Sequence, residues 1–581
     1  MALTKVTYSM IQGETLNALD YMTPAEIVNI QNGTGDVTLP LQAAIDAALA
    51  KTDADGNCAA LFLPAGVYVI TNRLMISGGA GVHRGFTMFG EGIASTIYNT
   101  NGSGGHAIVM ETALTGGNTE RVVLRNFTLK GNAASGRGIS VGLADGFNGC
   151  TMENLRIVGH GQQAVYGYFT ATTQSYQIFI TGCFINNNGL AGTYPQVDFG
   201  RVSVFRMLNT QVNIGTQHGL LIGGPIYISD NIAITNSEFD AHTNAGVLIE
   251  TAQGINISGC YSGTATTNAW IFNKVEGLSM TGSWADDCSA NGIIIQDSSA
   301  VSIEGCYIDL NVQTGIAMLA SSGAQCNYGV SVRNCKFIAN ASNAAYGADI
   351  YVGALYGGEI SGNVFRGTTL AGVPLATNLY AVRLMQAQNV VIKDNASFEH
   401  QTSSVNINSL TLCFGNYIGP TSGNLGTTDP TTITCSDVTD TSLKFANTTV
   451  YDMPFAVSPD GSATGRLKLA GPINLRQNWL QDPAAAGGFA TPQLQLGSLF
   501  LIPVGTNAAF QIVNPVKWRW GDEFTIIVEN NSGGVMGAVT WDTMYMGISA
   551  FVIPANGNAS VATFVVFDGT TVYLKSVINN Q

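Results

Sequence analysis

NIAITNSEFD at 231–240, GINISGCYSG at 254–263, GLSMTGSWAD at 277–286 and VSIEGCYID at 301–309 are versions of one pattern. Each alternates apolar and polar residues, carries Asn or Gly at a fixed point, and alternates again. The pattern continues outward as VVLRNFTLKG from 122 and YQIFITGCFIN from 176, and as VSVRNCKFI from 330. Taking the Asn or Gly as an anchor gives Asn126, Asn154, Gly182, Asn209, Asn236, Gly259, Gly282, Gly305, Asn334 and Gly362. The intervals are 28, 28, 27, 27, 23, 23, 23, 29 and 28 residues. Alternation with period two marks short strands with one face in and one out, and Asn or Gly suits a bend into the left-handed region. Short strands, a bend and a period in the twenties predict a parallel β-helix.

Coils of such a solenoid stack about 4.8 Å apart, so residues at one offset from the anchor form a column. At plus one and plus three stand Phe127 and Leu129, Cys183 and Ile185, Cys260, Cys306 and Ile308, and Cys335 and Phe337, which we place inside the bore. The cysteines read there as small buried hydrophobes. Two columns point outward. Plus two runs Phe184, Gln211, Glu238, Tyr261, Trp284, Tyr307, Lys336; plus four runs Asn186, Asn213, Asp240, Gly263, Asp286, Asp309, Ile338. An outward aromatic stripe flanked by carboxylates suits either a binding groove or a subunit seam.

The remainder of the 581-residue chain sets bounds. Lys and Arg number 24 against 38 Asp and Glu, a net charge of −14, which disfavours nucleic acid and anionic membrane as partners. With 46% hydrophobic residues, 11% charged and 69 glycines, it is too apolar for disorder and too glycine-rich for a helical protein. No long apolar run and no secretory signal stand out, so a soluble protein made in the cytoplasm is expected, without membrane insertion. The ten cysteines form no CxxC pair, the histidines form no zinc-ligand cluster, and neither a metal nor a cofactor is expected. His83, His106, His160, His218, His242 and His400 are scattered, as surface or loop residues would be.

Residues 1–35 read as a leader without a core of its own. LPLQAAIDAALAK at 39–51 puts Leu39, Leu41, Ile45, Ala48 and Leu49 on one helical face, a cap within 36–54 for the open first coil. Some thirteen coils then fill 55–420, a rod of roughly 60 Å. Segment 421–484 is a polar connector or small β module, and 485–581, with its Asn-Gly and Asp-Gly turns, reads as an antiparallel β-sandwich or jelly roll.

LQAAIDAAL at 41–49, LFLPAGVYVI at 61–70 and FTMFGEGIASTIY at 86–98, ahead of β-helical coils, resemble the pectate-lyase-like superfamily, and within it the tailspike capsule depolymerases of phages. Family members often carry two adjacent aspartates before the cap helix; here Asp36 is followed by Val37, a departure in a structural element. The resemblance implies an all-β, right-handed parallel β-helix assembled as a homotrimer, with a C-terminal domain that aids trimerisation and binds sugar. It implies a virion protein of the phage tail that cleaves bacterial capsular or O-antigen polysaccharide during host adsorption. Without a large anchoring domain, the first residues would attach to another tail protein.

Glycoside hydrolysis needs two carboxyls, about 5–5.5 Å apart for retention and about 6.5–9.5 Å for inversion. Glu238 and Asp240 lie two apart on one strand, about 6.7 Å; Asp286 and Asp309 lie one coil apart; Asp240 and Asp286 lie two coils apart, about 9.6 Å. These four are the candidate catalytic residues, with the acid expected among Glu238 and Asp240 and the base among Asp286 and Asp309. Trp284, Tyr261 and Tyr307 suit stacking on sugar rings, and His242, Asp287 and Glu304 fall in the same neighbourhood. A lyase, the rival chemistry on this fold, would draw its base or cation from Lys336, Arg366, Tyr307 and His242. No Gly-x-Ser-x-Gly turn points to a deacetylase. A receptor-binding fibre without cleavage would use the same aromatic residues.

Overall fold

The computed structural model describes residues 14–407 with breaks at 78–81, 103, 112–117, 143–146, 171–173, 225–227, 323–324, 344–345, 369–377, 399 and 401–402. It also describes short strands between 413 and 490, and 499–579 apart from 505–507, 516–522 and 569. The chain forms two compact units: Met1–Asn408 with Gly419–Cys435, and Ser409–Ile418 with Ser436–Gln581.

The first unit is a parallel β-helix. Coil after coil pairs in parallel and in the register set by the anchors, as in Gln211↔Glu238, Glu238↔Tyr261, Tyr261↔Trp284 and Trp284↔Tyr307. All ten anchors take left-handed backbone, with φ from 48° at Asn236 to 66° at Gly362. Two further left-handed columns flank them. One lies five residues before the anchor, from Arg121 through Val204 and Ala300 to Gly357. The other lies five residues after it, at Gly159, Asn187, Ile214, Ala241, Thr264, Asp287, Leu310 and Ala339. Five of these eight, Ile214, Ala241, Thr264, Leu310 and Ala339, have a side chain that resists this conformation at about 1 kcal/mol or more each, so the packed coils hold them there.

Inside, Phe127, Leu129, Ile185, Ile308 and Phe337 are buried where the spacing predicts, and Phe337 stacks on Phe365 at 4.7 Å. The plus-one cysteines are buried free thiols, but they are more than small hydrophobes. Cys183 Sγ reaches the Met152 carbonyl at 3.5 Å and Cys260 Sγ the Ile234 carbonyl at 3.4 Å, each in the preceding coil. Elsewhere in that column Ser and Asn accept a backbone N–H: Cys260 N–H donates to Ser283 Oγ at 3.1 Å and Cys335 N–H to Asn363 Oδ1 at 2.9 Å. The column therefore hydrogen-bonds one coil to the next behind each bend. Asn363→Ala would remove the acceptor of the Cys335 N–H and the side-chain donor to the Val332 carbonyl, both buried, while Asn395 Oδ1 keeps the N–H of residue 363. At about 1–3 kcal/mol per stranded group, guanidinium unfolding should show a loss of at least about 2 kcal/mol. Cys306→Ser, which preserves the donor, should cost less than about 1 kcal/mol.

The N-terminal segment corrects the expectation of a coreless leader. Thr15–Asn17 pairs in parallel with Ala60–Phe62, and α1 (Pro24–Asn32) follows, opened by a capping box between Thr23 and Glu26. Ile30 is buried, its methyl filling the space a Cβ on Gly66 would need. α2 (Thr38–Ala50) buries Leu41, Ile45, Ala48 and Leu49 and packs on Leu74–Ile76, but Leu39 is 81% exposed because it stands in the first turn, off the apolar face. Among the described residues no helix is long and apolar enough to cross a membrane.

In the second unit the expected antiparallel arrangement holds only in part. Gln477–Trp479, Leu499–Val504 and Glu523–Asn530 pair in parallel, and so do Phe489–Ala490, Phe510–Ile512 and Val539–Trp541 in a second sheet. From Leu499 to Trp541 the chain alternates between the two sheets, and each return runs in the original direction. Among the described residues the antiparallel pairs of this unit are Pro454–Phe455 with Gly465–Arg466, Glu523–Asn530 with Ala559–Asp568, and the hairpin of Ala559–Asp568 with Thr571–Ile578. Phe500, Phe510, Phe524 and Phe564 are buried in one cluster drawn from both sheets. The connector expected at 421–484 lies largely outside the described residues.

Candidate active site

The two outward columns stand as their spacing predicts. Glu238, Tyr261, Trp284, Tyr307 and Lys336 pair rung to rung, and beside them so do Asp240, Gly263, Asp286, Asp309, Ile338 and Arg366. Three-residue strands such as Trp284–Asp286 present both columns, and the left-handed residue that follows ends the strand. Trp284 is 51% exposed, with Tyr261 at 6.2 Å on one side and Tyr307 at 5.6 Å on the other. The buried Trp270 donates from Nε1 to the Trp284 carbonyl at 2.9 Å and so braces the strand from inside.

Asp286 and Asp309 are register partners on adjacent rungs of one column, near enough for each to act on the other's carboxyl. Asp309 is only 7% exposed, and burial, then the charge of Asp286, pushes its carboxyl up to about 7. Burial also raises Asp286, with Asp287 and Asp240 adding repulsion. Tyr261 donates from its hydroxyl to Asp286 Oδ2 at 3.3 Å, and Asp286 Oδ1 is buried with no partner among the described residues. Two rungs below, Asp240 accepts from the Thr264 hydroxyl. Glu238 accepts from Gln211 Nε2 at 3.1 Å and Asn213 Nδ2 at 3.3 Å.

The raised carboxyls thus lie at the Asp286–Asp309 end, whereas the sequence reading expects the acid among Glu238 and Asp240. Asp287 is exposed at the bend beside the pair and acts on it through its charge. Glu304 lies before the Gly305 bend, on the neighbouring face, and meets Asn334 Nδ2 at 3.5 Å. His242 is a correction: it is 1% exposed and faces inward, with Nε2 at 2.8 Å from the Val212 carbonyl. Burial pulls it down to about 4. The left-handed Ala241 before it turns the chain and reverses the alternation. His160, His218 and His400 are buried too, against the surface placement expected of them. Thr264 went unnoticed in the sequence, since an isolated threonine past a strand carries no signal.

Residues 226–379 match the family model of the right handed beta helix region. The rod is a right-handed parallel β-helix. Among solved structures, the A-module of mannuronan C-5 epimerase AlgE4 from Azotobacter vinelandii is 17% identical, with a TM-score of 0.43 over 67% of this chain and 96% of that one. Tailspike protein 3 of bacteriophage CBA120 is 13% identical, with a TM-score of 0.44 over 70% of this chain and 62% of that one. The Dettilon tailspike protein is 15% identical, with a TM-score of 0.36 over 63% and 68%. No curated protein matches the chain.

Proposed function

We propose that the outward face from Glu238 to Asp309 binds and hydrolyses a bacterial capsular or O-antigen polysaccharide with inversion at the anomeric carbon. One observation carries this reading: two register-paired carboxyls, with Asp309 buried and pushed up to about 7 by burial and by Asp286, stand beside an exposed tryptophan. The pair titrates as a unit. Asp286, its more exposed member, delivers the proton to the glycosidic oxygen as the bond to the anomeric carbon breaks, and Asp309 supplies that proton. Asp240, two rungs away at about 9.6 Å, takes a proton from water as its oxygen joins the opposite face. That spacing sits at the upper edge of the inverting range and leaves room for the water. Trp284, flanked by Tyr261 and Tyr307, offers an apolar platform to a sugar ring.

A lyase would need a base poised to lose its proton near neutral pH. Tyr307 and Tyr261 are instead pushed up by burial, and His242 is inside the coil. The N-terminal resemblance to tailspike depolymerases supports a role at the phage tail as a homotrimer, its first residues joined to another tail protein. The test is incubation with capsular polysaccharides from a bacterial panel and mass spectrometry of the fragments. Saturated oligosaccharides one water heavier are expected, and Trp284→Ala should weaken binding by at least about tenfold. Unsaturated uronates would establish a lyase, and binding without fragments would leave a receptor-binding fibre.

A further inference from the structure

Tyr261 stands in the outward aromatic column, yet its ring does not lie parallel to that of Trp284. The two rings meet edge to face, at 74° and 6.2 Å between centroids. The phenol turns instead across Gly263, the member of the carboxylate column two residues along the same strand. A Cβ on Gly263 would stand 2.3 Å from Tyr261 Oη and 2.7 Å from Cζ, so only a residue without a side chain leaves the ring its place. The backbone does not ask for glycine here, since Gly263 is not among the left-handed residues. Along the column Gly263 falls between Asp240 and Asp286, its register partners on either side. The missing side chain opens a notch one rung deep between two carboxyls, and the Tyr261 hydroxyl fills it, 3.3 Å from Asp286 Oδ2. Across the notch Asp240 is held by the Thr264 hydroxyl.

We propose that Tyr261 is a positioning residue for the acid Asp286, and that Gly263 provides the seat from which its hydroxyl reaches that carboxyl. This rests on the reading of Asp286 as the proton donor of a hydrolase. A hydroxyl that donates to a carboxyl favours the ionised form, so Asp286 releases its proton more readily with Tyr261 in place. The same bond strengthens as Asp286 becomes a carboxylate in the transition state. Asp240, Asp287, Asp309, Cys288 and Tyr307 are the other titratable groups that feel or act on the Asp286 carboxyl, and burial with the charges of Asp287 and Asp240 works against ionisation. Tyr261 itself stays a donor, because burial, then the charges of Asp286 and Asp240, push its hydroxyl up. A phenol that only stacked on sugar would need neither the notch nor its hydroxyl.

Tyr261→Phe removes the hydroxyl and keeps the ring, whereas Gly263→Ala keeps the hydroxyl and displaces the ring. Each variant is followed by kcat and KM against pH on a cleaved polysaccharide, and by titration of the aspartate carboxyls with carbon-13 NMR, which needs no substrate. Both substitutions should lower kcat at its optimum about tenfold with KM within about twofold. Both should move the alkaline limb of kcat, and the NMR midpoint of Asp286, upward by at least about half a pH unit. Combined, they should do little more than either alone, because both break one hydrogen bond. If Gly263→Ala does not fold, Tyr261→Phe alone decides. An unchanged kcat and titration in Tyr261→Phe would return Tyr261 to stacking and overturn the proposal. So would a fall in kcat without a shift along pH, as a packing defect gives, or effects of the two substitutions that add in full. The shifted NMR midpoint in a protein that cuts no polymer would sink the hydrolase and leave the hold of Tyr261 on Asp286 standing. Turnover that needs Asp286, with an unmoved midpoint in Tyr261→Phe, would do the reverse.

Discussion

Asp309→Asn should lower kcat at pH 7 by about a hundredfold or more while leaving oligosaccharide affinity within a few fold. The substitution keeps the size of the side chain but replaces a proton donor whose own charge state matters. In the wild type, burial and the neighbouring carboxyl keep one proton on the pair near neutral pH. An amide at 309 removes the like charge and donates an N–H to Asp286, and both changes favour ionised Asp286. Asp309 is buried, so it is a positioning residue that acts through Asp286. The consequence is a displaced pH profile: the alkaline limb of kcat should move toward acid, and activity should partly return where Asp286 regains its proton. Asp286→Asn, by contrast, should abolish turnover at every pH. A fall in Asp309→Asn that is uniform across pH would mark a packing defect, and no fall would remove the pair from the chemistry.

The second large effect is on stability in mild acid. His160, His218 and His242 are buried, and burial pulls each down to about 4 from the 6.5 of an exposed imidazole. A histidine whose folded pKa is depressed stabilises fully above the unfolded value, and that contribution is lost as pH falls from 6.5 toward 4. Each such group contributes a slope of at most about 1.4 kcal/mol per pH unit, so the three together contribute up to about 4 kcal/mol per unit. Guanidinium unfolding across this window measures it. His242→Gln, which cannot take up the proton, should flatten the slope; an unchanged slope would show that His242 titrates normally in the fold.

What could be read from sequence follows from where residue type constrains the backbone. The anchors were legible because Asn and Gly tolerate left-handed backbone, and once they were aligned the register of every column followed. The second and third bends were not, because Val204, Ile214 and Leu310 give no hint of left-handed φ; packed coils impose it. That omission misplaced His242, which alternation alone puts outside. The bend at Ala241 puts it in the inward column with Asn188, Cys288, Asn311 and Asn340, all buried. The four carboxylates were legible as a group, but their roles were not, since Asp240 and Asp309 occupy the same column and differ in burial. In the C-terminal unit periodicity located strands, yet it carries no information on direction, and the alternation between sheets escaped it.

Hydrolysis by the Asp286–Asp309 pair with Asp240 is tested most directly by cleavage of a susceptible capsular polysaccharide in oxygen-18 water, followed at once by proton NMR of the new reducing end. One labelled oxygen at the anomeric carbon, in the anomer opposite to that of the bond cleaved, is the expected result. An unsaturated uronate without label, or a retained anomer, would contradict it.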